Sequence, residues 1–194
     1  MDKFAFMIHP IEISDIYRKL KFMQKLPESA VEGIIKCFPP MKISHITGVK
    51  SQYNEVEGYF VACPLTTRQM IELPEEVVMN KIIKTAKLAE KLGAKILGLG
   101  AFTSVVGDAG ITVAKNVNIA VTTGNSYTVA TAIEGTKKAA EIMGKNIKDA
   151  EVLIIGAAGS IGSVCAQILA KECKFMTLAG RNTEKLEKVA EKIL

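Results

Sequence analysis

Val152-Leu153-Ile154-Ile155-Gly156-Ala157-Ala158-Gly159-Ser160-Ile161-Gly162 is the stretch on which the reading of the fold turns. Four aliphatic residues in a row predict a strand, glycines recur at every third position after it, and Val164, Cys165, Ile168 and Leu169 then repeat at helical spacing. Strand, glycine turn and helix in that order are what a dinucleotide phosphate corner requires. Gly156 makes the tight turn, a residue without a side chain near Gly159 lets the backbone approach a pyrophosphate, and Gly162 lets helix and strand pack closely. The helix N-terminus offers free N–H groups and the positive end of its dipole to the phosphates. Ala157, Ser160 and Ile161 lie in the same turn and complete this part of the candidate cofactor-binding set.

Downstream, Phe175 to Ala179 reads as a second strand, ending in Gly180-Arg181-Asn182-Thr183, and a helix beginning near Thr183 carries Leu186, Val189, Ala190 and Ile193 on one side. An NAD-selective site places an acid at the end of this second strand for the ribose 2′-hydroxyl, whereas an arginine there receives a 2′-phosphate. No acid occupies 179 to 183, and Arg181 is one of three arginines in the chain, with Arg18 and Arg68. Arg181, Asn182 and Thr183 therefore join the cofactor-binding set, and the expected cofactor is NADP. Two strands are the start of a mononucleotide half, so the nicotinamide half is expected outside residues 1–194 and the piece alone is expected to be inactive. The unpaired sheet edge predicts pairing with another copy, hence a homo-oligomer.

Upstream, Gly144 to Ala150 is a polar link and the predicted boundary between an N-terminal α/β substrate domain, 1–147, and a partial Rossmann-type NADP-binding domain, 148–194. Within the first domain Phe4 to Ile8 reads as a strand, and Ser14 opens a helix carrying Ile16, Leu20 and Met23. Ser29 and Glu32 have capping-box spacing ahead of Val31, Ile34 and Ile35, with Phe38-Pro39-Pro40 as the stop. Met41 to Val49 and Val56 to Cys63 flank a polar turn and predict a hairpin. Pro74 fronts a long helix with the stripe Val78, Ile82, Ala86 and Ala89, ended by Gly93. Lys95 to Leu99 and Val117 to Val121 read as strands, and Ser126 to Met143 as a helix with Val129, Ile133, Ala140 and Met143 inward. Such alternation predicts a largely parallel sheet.

With 194 residues, 48% hydrophobic and 23% charged, the chain affords a real core and is not a disordered segment. The uncharged run Val152 to Ala170 is interrupted by glycines and a glutamine, so no membrane segment is predicted. MDKFAFMIHP has an acid before its apolar stretch and fits neither a secretory signal nor a transit peptide, which makes the cytoplasm the expected compartment. Cys37, Cys63, Cys165 and Cys173 lie far apart without a CxxC pair, so reduced thiols and no metal site are expected. A net charge of +5, without a basic tract interleaved with aromatics, gives no support for nucleic-acid binding. His9 and His45 have no motif partner and read as structural or surface histidines.

The segment Leu99-Gly100-Ala101-Phe102-Thr103-Ser104 resembles the GGFTS stretch of the long-chain acyl-acyl-carrier-protein reductases and their amino-acid-dehydrogenase-like relatives. Val121-Thr122-Thr123-Gly124-Asn125-Ser126-Tyr127-Thr128 resembles their TTGN-x-x-T stretch, and Gly156 to Gly162 with Ala179-Gly180-Arg181-Asn182 resembles their NADP site. The resemblance implies an NADP-dependent oxidoreductase reducing a carrier-bound or coenzyme-A-bound acyl thioester to an aldehyde. It also implies an acylated cysteine in a C-terminal part, so the catalytic nucleophile is expected outside this chain and none of the four cysteines is assigned that role. Phe102, Thr103, Ser104, Thr122, Thr123, Gly124 and Asn125 become the candidate substrate-binding residues, since polar groups at strand ends line ligand sites in open parallel sheets. Asn125 or Ser126 also suits a plain helix cap.

The layout is also similar to shikimate dehydrogenases. Ile111-Thr112-Val113-Ala114-Lys115 matches their lysine segment loosely, and Asn125 stands where their aspartate is wanted, which removes the acid of a Lys–Asp relay. An amino-acid or hydroxy-acid dehydrogenase and a non-catalytic dinucleotide-binding module stay open as alternatives.

Overall fold

Burial alternates along β1 (Lys3–Ile8), with Ala5 and Met7 in the core, because neighbouring strand residues point to opposite faces. The computed structural model describes residues 2–194. Its contacts divide the chain into two units, Met1–Thr123 and Gly124–Leu194.

In the first unit β1 is followed by α1 (Ile13–Lys19), α2 (Glu28–Cys37), β2 (Met41–Lys50), β3 (Glu55–Ala62), α3 (Thr67–Glu72), α4 (Glu75–Lys91), β4 (Ile96–Leu99), α5 (Ile111–Lys115) and β5 (Ala120–Thr122). The sheet order is β2-β3-β1-β4-β5. Strand β2 runs antiparallel to β3 as the expected hairpin, and the other pairings are parallel. Helix α4 buries Val78, Ile82, Ala86 and Ala89, one residue per turn, in the same core as Met7, Val61, Leu97 and Leu99. Strand β1 has β3 on one side and β4 on the other, and the connection leaving β1 runs toward β2 and β3 while the one leaving β4 runs the opposite way, to β5. The carboxyl ends of β1 and β4 are therefore a topological switch point, the place where open parallel sheets bind ligands.

Local expectations in this unit need correction at several points. Helix α1 starts on a reciprocal Glu12/Asp15 box instead of Ser14 and ends at Lys19, after which a 3-10 turn, Lys21–Lys25, carries Met23 into the small core of Ile13, Ile16, Val31 and Ile35. Ser29 and Glu32 form no capping box: α2 begins behind Pro27, and the Glu32 carboxylate is spent on Thr66 and Arg68. Ile34 is exposed. Strand β5 starts at Ala120, later than expected, and the short helices α3 and α5 had no periodicity long enough to announce them.

The second unit holds α6 (Asn125–Ile142), β6 (Glu151–Ile155), α7 (Gly162–Leu169), β7 (Phe175–Ala179) and α8 (Thr183–Ala190). Strands β6 and β7 pair in parallel, Val152 against Met176 and Ile155 against Ala179. Val129 and Ile133 of α6 pack with Cys165 and Leu169 of α7 over Val152, Ile154 and Met176. That packing places α6 in the second unit, so the compact units divide ahead of Gly124, whereas the polar link around 144–150 lies within the second unit. Met143 caps the end of α6 and is 68% exposed instead of inward. Ile155 points to the other face of the two-stranded sheet and is 82% exposed. The chain is thus α/β, a mostly parallel α/β unit followed by a partial Rossmann-type unit.

Candidate functional site

At the carboxyl end of β6 the backbone turns at Gly156, whose φ of +82° favours glycine. The N–H groups of Gly156 and Ala157 both donate to the Ala179 carbonyl, at 2.8 and 3.1 Å, which pins the turn to the end of β7. Gly159 N–H donates to the Gly156 carbonyl at 2.9 Å, and Ser163 N–H to the Gly159 carbonyl at 2.9 Å. A Cβ at Gly162 would collide with the Gly156 carbonyl oxygen and sit 3.0 Å from its carbon, so only glycine opens α7 here. Ala157 is fully buried beneath the turn. The N–H groups of Ala158, Ser160 and Ile161 have no acceptor among the described residues. A turn that leaves donors of this kind at a helix start is built to receive an anion.

Arg181 lies two residues past the end of β7, after Gly180, is exposed, and makes no ion pair among the described residues. Asn182 accepts the Lys185 N–H at 2.9 Å through Oδ1 and caps α8, so its side chain is committed, and Thr183 is that helix's first residue. Asn125, expected on the substrate side, lies in this same unit: its Nδ2 donates to Ser160 Oγ at 3.2 Å. Gly124 precedes it with φ +75°.

In the first unit the carboxyl ends of β1 and β4 are joined by short polar contacts. Gly100 N–H donates to the Met7 carbonyl at 3.0 Å, Ala101 takes a left-handed φ of +48°, and a 3-10 turn spans Ala101–Ser104. Thr103 is 1% exposed and its hydroxyl donates to the Gly100 carbonyl at 2.7 Å, while the hydroxyl of the half-buried Ser104 donates to the Ala101 carbonyl at 2.8 Å. Phe102 leans on the main core. Thr122 ends β5 and Thr123 follows it.

His9, which sequence reading left without a partner, is the residue that ties this region together. Its Nε2 accepts the Phe102 N–H at 3.1 Å and its Nδ1 lies 3.0 Å from the Pro10 carbonyl oxygen, so the proton sits on Nδ1. The bond from Phe102 needs a neutral ring, and burial pushes the pKa of His9 below its ordinary value, against the weaker opposing effects of the Pro10 carbonyl and Asp15. Beyond β3, Glu32 accepts from Thr66 Oγ1 at 3.1 Å and from both Arg68 Nε, at 3.2 Å, and Arg68 Nη2; Gln69 donates to the Glu32 carbonyl at 2.9 Å. Arg68, together with Thr66, holds the Glu32 carboxyl below its usual range despite burial.

The thiols offer little nucleophile character where they are buried. Burial pushes Cys63 up to about 12 and raises Cys165, because a thiolate is poorly solvated there. Cys37 is exposed and Cys173 half-buried. Among the described residues no three potential metal ligands cluster, and no helix is long and apolar enough to cross a membrane.

Residues 152–194, the segment from β6 onward, match the family model of the saccharopine dehydrogenase NADP binding domain. NADP is the cofactor of this segment. Over 158 residues the chain is 25% identical to the long-chain acyl-[acyl-carrier-protein] reductase of Synechococcus elongatus, covering 77% of this chain and 46% of that protein. Over 180 residues it is 24% identical to the aminotransferase PigE of a Serratia species, covering 86% of this chain and 20% of that protein. The chain therefore spans less than half the length of these curated relatives. A crystal structure of an aspartate racemase homologue from Pyrococcus horikoshii aligns with 98% of this chain and 69% of its own, at 16% identity and a TM-score of 0.37, and bears no weight here.

Proposed function

We propose that this chain carries the NADP site and the substrate-side unit of an NADP-dependent oxidoreductase that reduces an acyl thioester, on a carrier protein or coenzyme A, to an aldehyde. The observation that carries the cofactor half is the glycine turn of 156–162, pinned to β7 with its own donors unspent, inside the segment that matches an NADP-binding family model. The acyl substrate is suggested by the cyanobacterial reductase, to which the likeness extends over most of the chain. Hydride chemistry is supplied by the cofactor, and the protein's part is binding and orientation.

In this reading residues 1–147 serve the substrate and 148–194 the cofactor. Phe102, Thr103 and Ser104 at the switch point, with Thr122 and Thr123 at the end of β5, shape the acyl-binding side. Thr103 does so by holding its own loop, since its hydroxyl is buried on the Gly100 carbonyl. Ser104 is half-buried, and its hydroxyl, which donates to the Ala101 carbonyl, is the one of this turn left partly open to a ligand. Arg181 takes the 2′-phosphate.

Calorimetric titration of the chain with NADPH, NADH and a long-chain acyl-coenzyme A tests both halves. Saturable binding of NADPH, tighter than NADH, together with saturable thioester binding is expected. No NADPH binding would overturn the cofactor half, and no thioester binding the substrate half.

A further inference from the structure

We propose that Asn125 is a positioning residue of the NADP site, acting through Ser160 to aim a hydroxyl proton at the cofactor's pyrophosphate. The inference rests on the cofactor reading above and moves Asn125 from the substrate side to the cofactor side.

Asn125 is the first residue of α6, and Ser160 lies in the turn that enters α7. The 3.2 Å bond from Asn125 Nδ2 to Ser160 Oγ therefore ties the start of the 18-residue α6 to the anion-binding turn, within one compact unit. An amide nitrogen only donates, so Ser160 Oγ is the acceptor in this bond. Its own hydroxyl proton then has to point elsewhere, and no acceptor for it exists among the described residues. The backbone N–H of Ser160 is also without an acceptor, as are those of Ala158 and Ile161 on either side of Gly159 and Ser160. Asn125 thus fixes the direction in which Ser160 donates, and it does so beside backbone donors that no acceptor among the described residues takes up. Substrate binding gives no reason for an asparagine 35 residues upstream to be tied to the middle of a glycine turn, whereas orienting a phosphate ligand does.

The substitution Asn125→Asp separates this role from a structural one. A carboxylate at 125 accepts from Ser160, pulling the hydroxyl proton away from the ligand and adding a negative charge near the phosphates. At the first turn of α6 the same acid is favoured by the helix dipole, so melting temperature should hold or rise. Titration with NADPH should show Asn125→Asp weakened by tenfold or more, and Asn125→Ala and Ser160→Ala each by roughly three- to tenfold, the worth of one hydrogen bond. The double variant N125A/S160A should be no weaker than the worse single variant, since one acts through the other.

NADPH affinity unchanged in Asn125→Asp while the wild type binds NADPH would overturn the assignment of Asn125 alone. Additive losses in the double variant would overturn its action through Ser160. A wild type that does not bind NADPH would overturn the cofactor reading and this inference with it.

Discussion

His9 Nε2 accepts the Phe102 N–H at 3.1 Å, a bond between residues 93 apart that joins the carboxyl end of β1 to the turn after β4. A protonated ring has no lone pair to accept that N–H, so protonation breaks the tie. Burial holds the folded-state pKa below the ordinary 6.5, which means the unfolded chain binds the proton first as pH falls. The stability His9 contributes is present above about pH 6.5 and is lost as pH drops from there through the lowered folded value. Thermal melts between about pH 7.5 and about pH 5 should show this loss in the wild type, and His9→Gln, which keeps a neutral acceptor, should flatten it. An identical slope in the two proteins would assign the acid sensitivity to other groups.

Glu32 and Arg68 form a two-point ion pair in the first unit, and the two ends are buried unequally: 11% of the Glu32 side chain is exposed against 57% of Arg68. Losing the arginine strands a buried carboxylate, while neutralising the glutamate leaves an arginine that water can solvate. Arg68→Ala should therefore lower the melting temperature at neutral pH more than Glu32→Gln does. The Glu32 pKa is lowered, so its contribution is present above the ordinary 4.5 and fades as pH falls through the lowered value; Glu32→Gln should melt with less acid dependence there. Equal losses from the two substitutions would contradict this asymmetry.

What the sequence made legible follows the range of the interaction that carries each feature. The hairpin of β2 and β3, the stripe of α4 and the strand–glycine turn–helix of β6 and α7 are written in local periodicity and turn chemistry, and they fold as expected. Glu32 misled because capping-box spacing is local, whereas its partners Thr66 and Arg68 lie 34 and 36 residues on. His9 and Asn125 were opaque for the same reason: one is defined by a backbone N–H after β4, the other by a serine in the glycine turn. Only a folded chain brings such pairs together. The division of the compact units ahead of Gly124 follows from α6 packing on α7 through Val129 and Ile133, and a polar link around 144–150 looks the same whether it separates units or joins a helix to a strand within one.

Gly162 is the tightest point of the cofactor turn. A methyl group there meets backbone atoms of Gly156 and Ala157 instead of a movable side chain, so the start of α7 has to shift. Gly162→Ala should destabilise the second unit by about 1–3 kcal/mol, the usual range for overpacking, and weaken NADPH binding at temperatures where the unit is still folded. Gly135, on α6 with nothing within 4 Å of its added Cβ, supplies the control: Gly135→Ala should leave NADPH affinity unchanged and raise stability slightly. Chemical denaturation followed by NADPH titration of both variants checks the pair. A Gly162→Ala protein with wild-type affinity would mean that close helix–strand approach is not what the turn needs from this glycine.

In the proposed reading Arg181 decides between the two nicotinamide dinucleotides. It leaves β7 at the strand's carboxyl end, with Ala179 behind it pinning the glycine turn, and no acid occupies 179 to 183 to hold a ribose 2′-hydroxyl. Its guanidinium pairs with no carboxylate among the described residues, so nothing has to be broken when a 2′-phosphate arrives. Arg181→Ala should weaken NADPH by roughly ten- to a hundredfold, the worth of a charge-assisted contact, and leave NADH within about twofold. Arg181→Lys keeps the charge but not the planar fork and should fall between the two. The loss in NADPH affinity should also shrink as salt is raised, because an exposed cation is screened within about 10 Å at 0.1 M. Equal weakening of NADPH and NADH in the alanine variant would place Arg181 on the scaffold and remove the basis for its role at the 2′-phosphate.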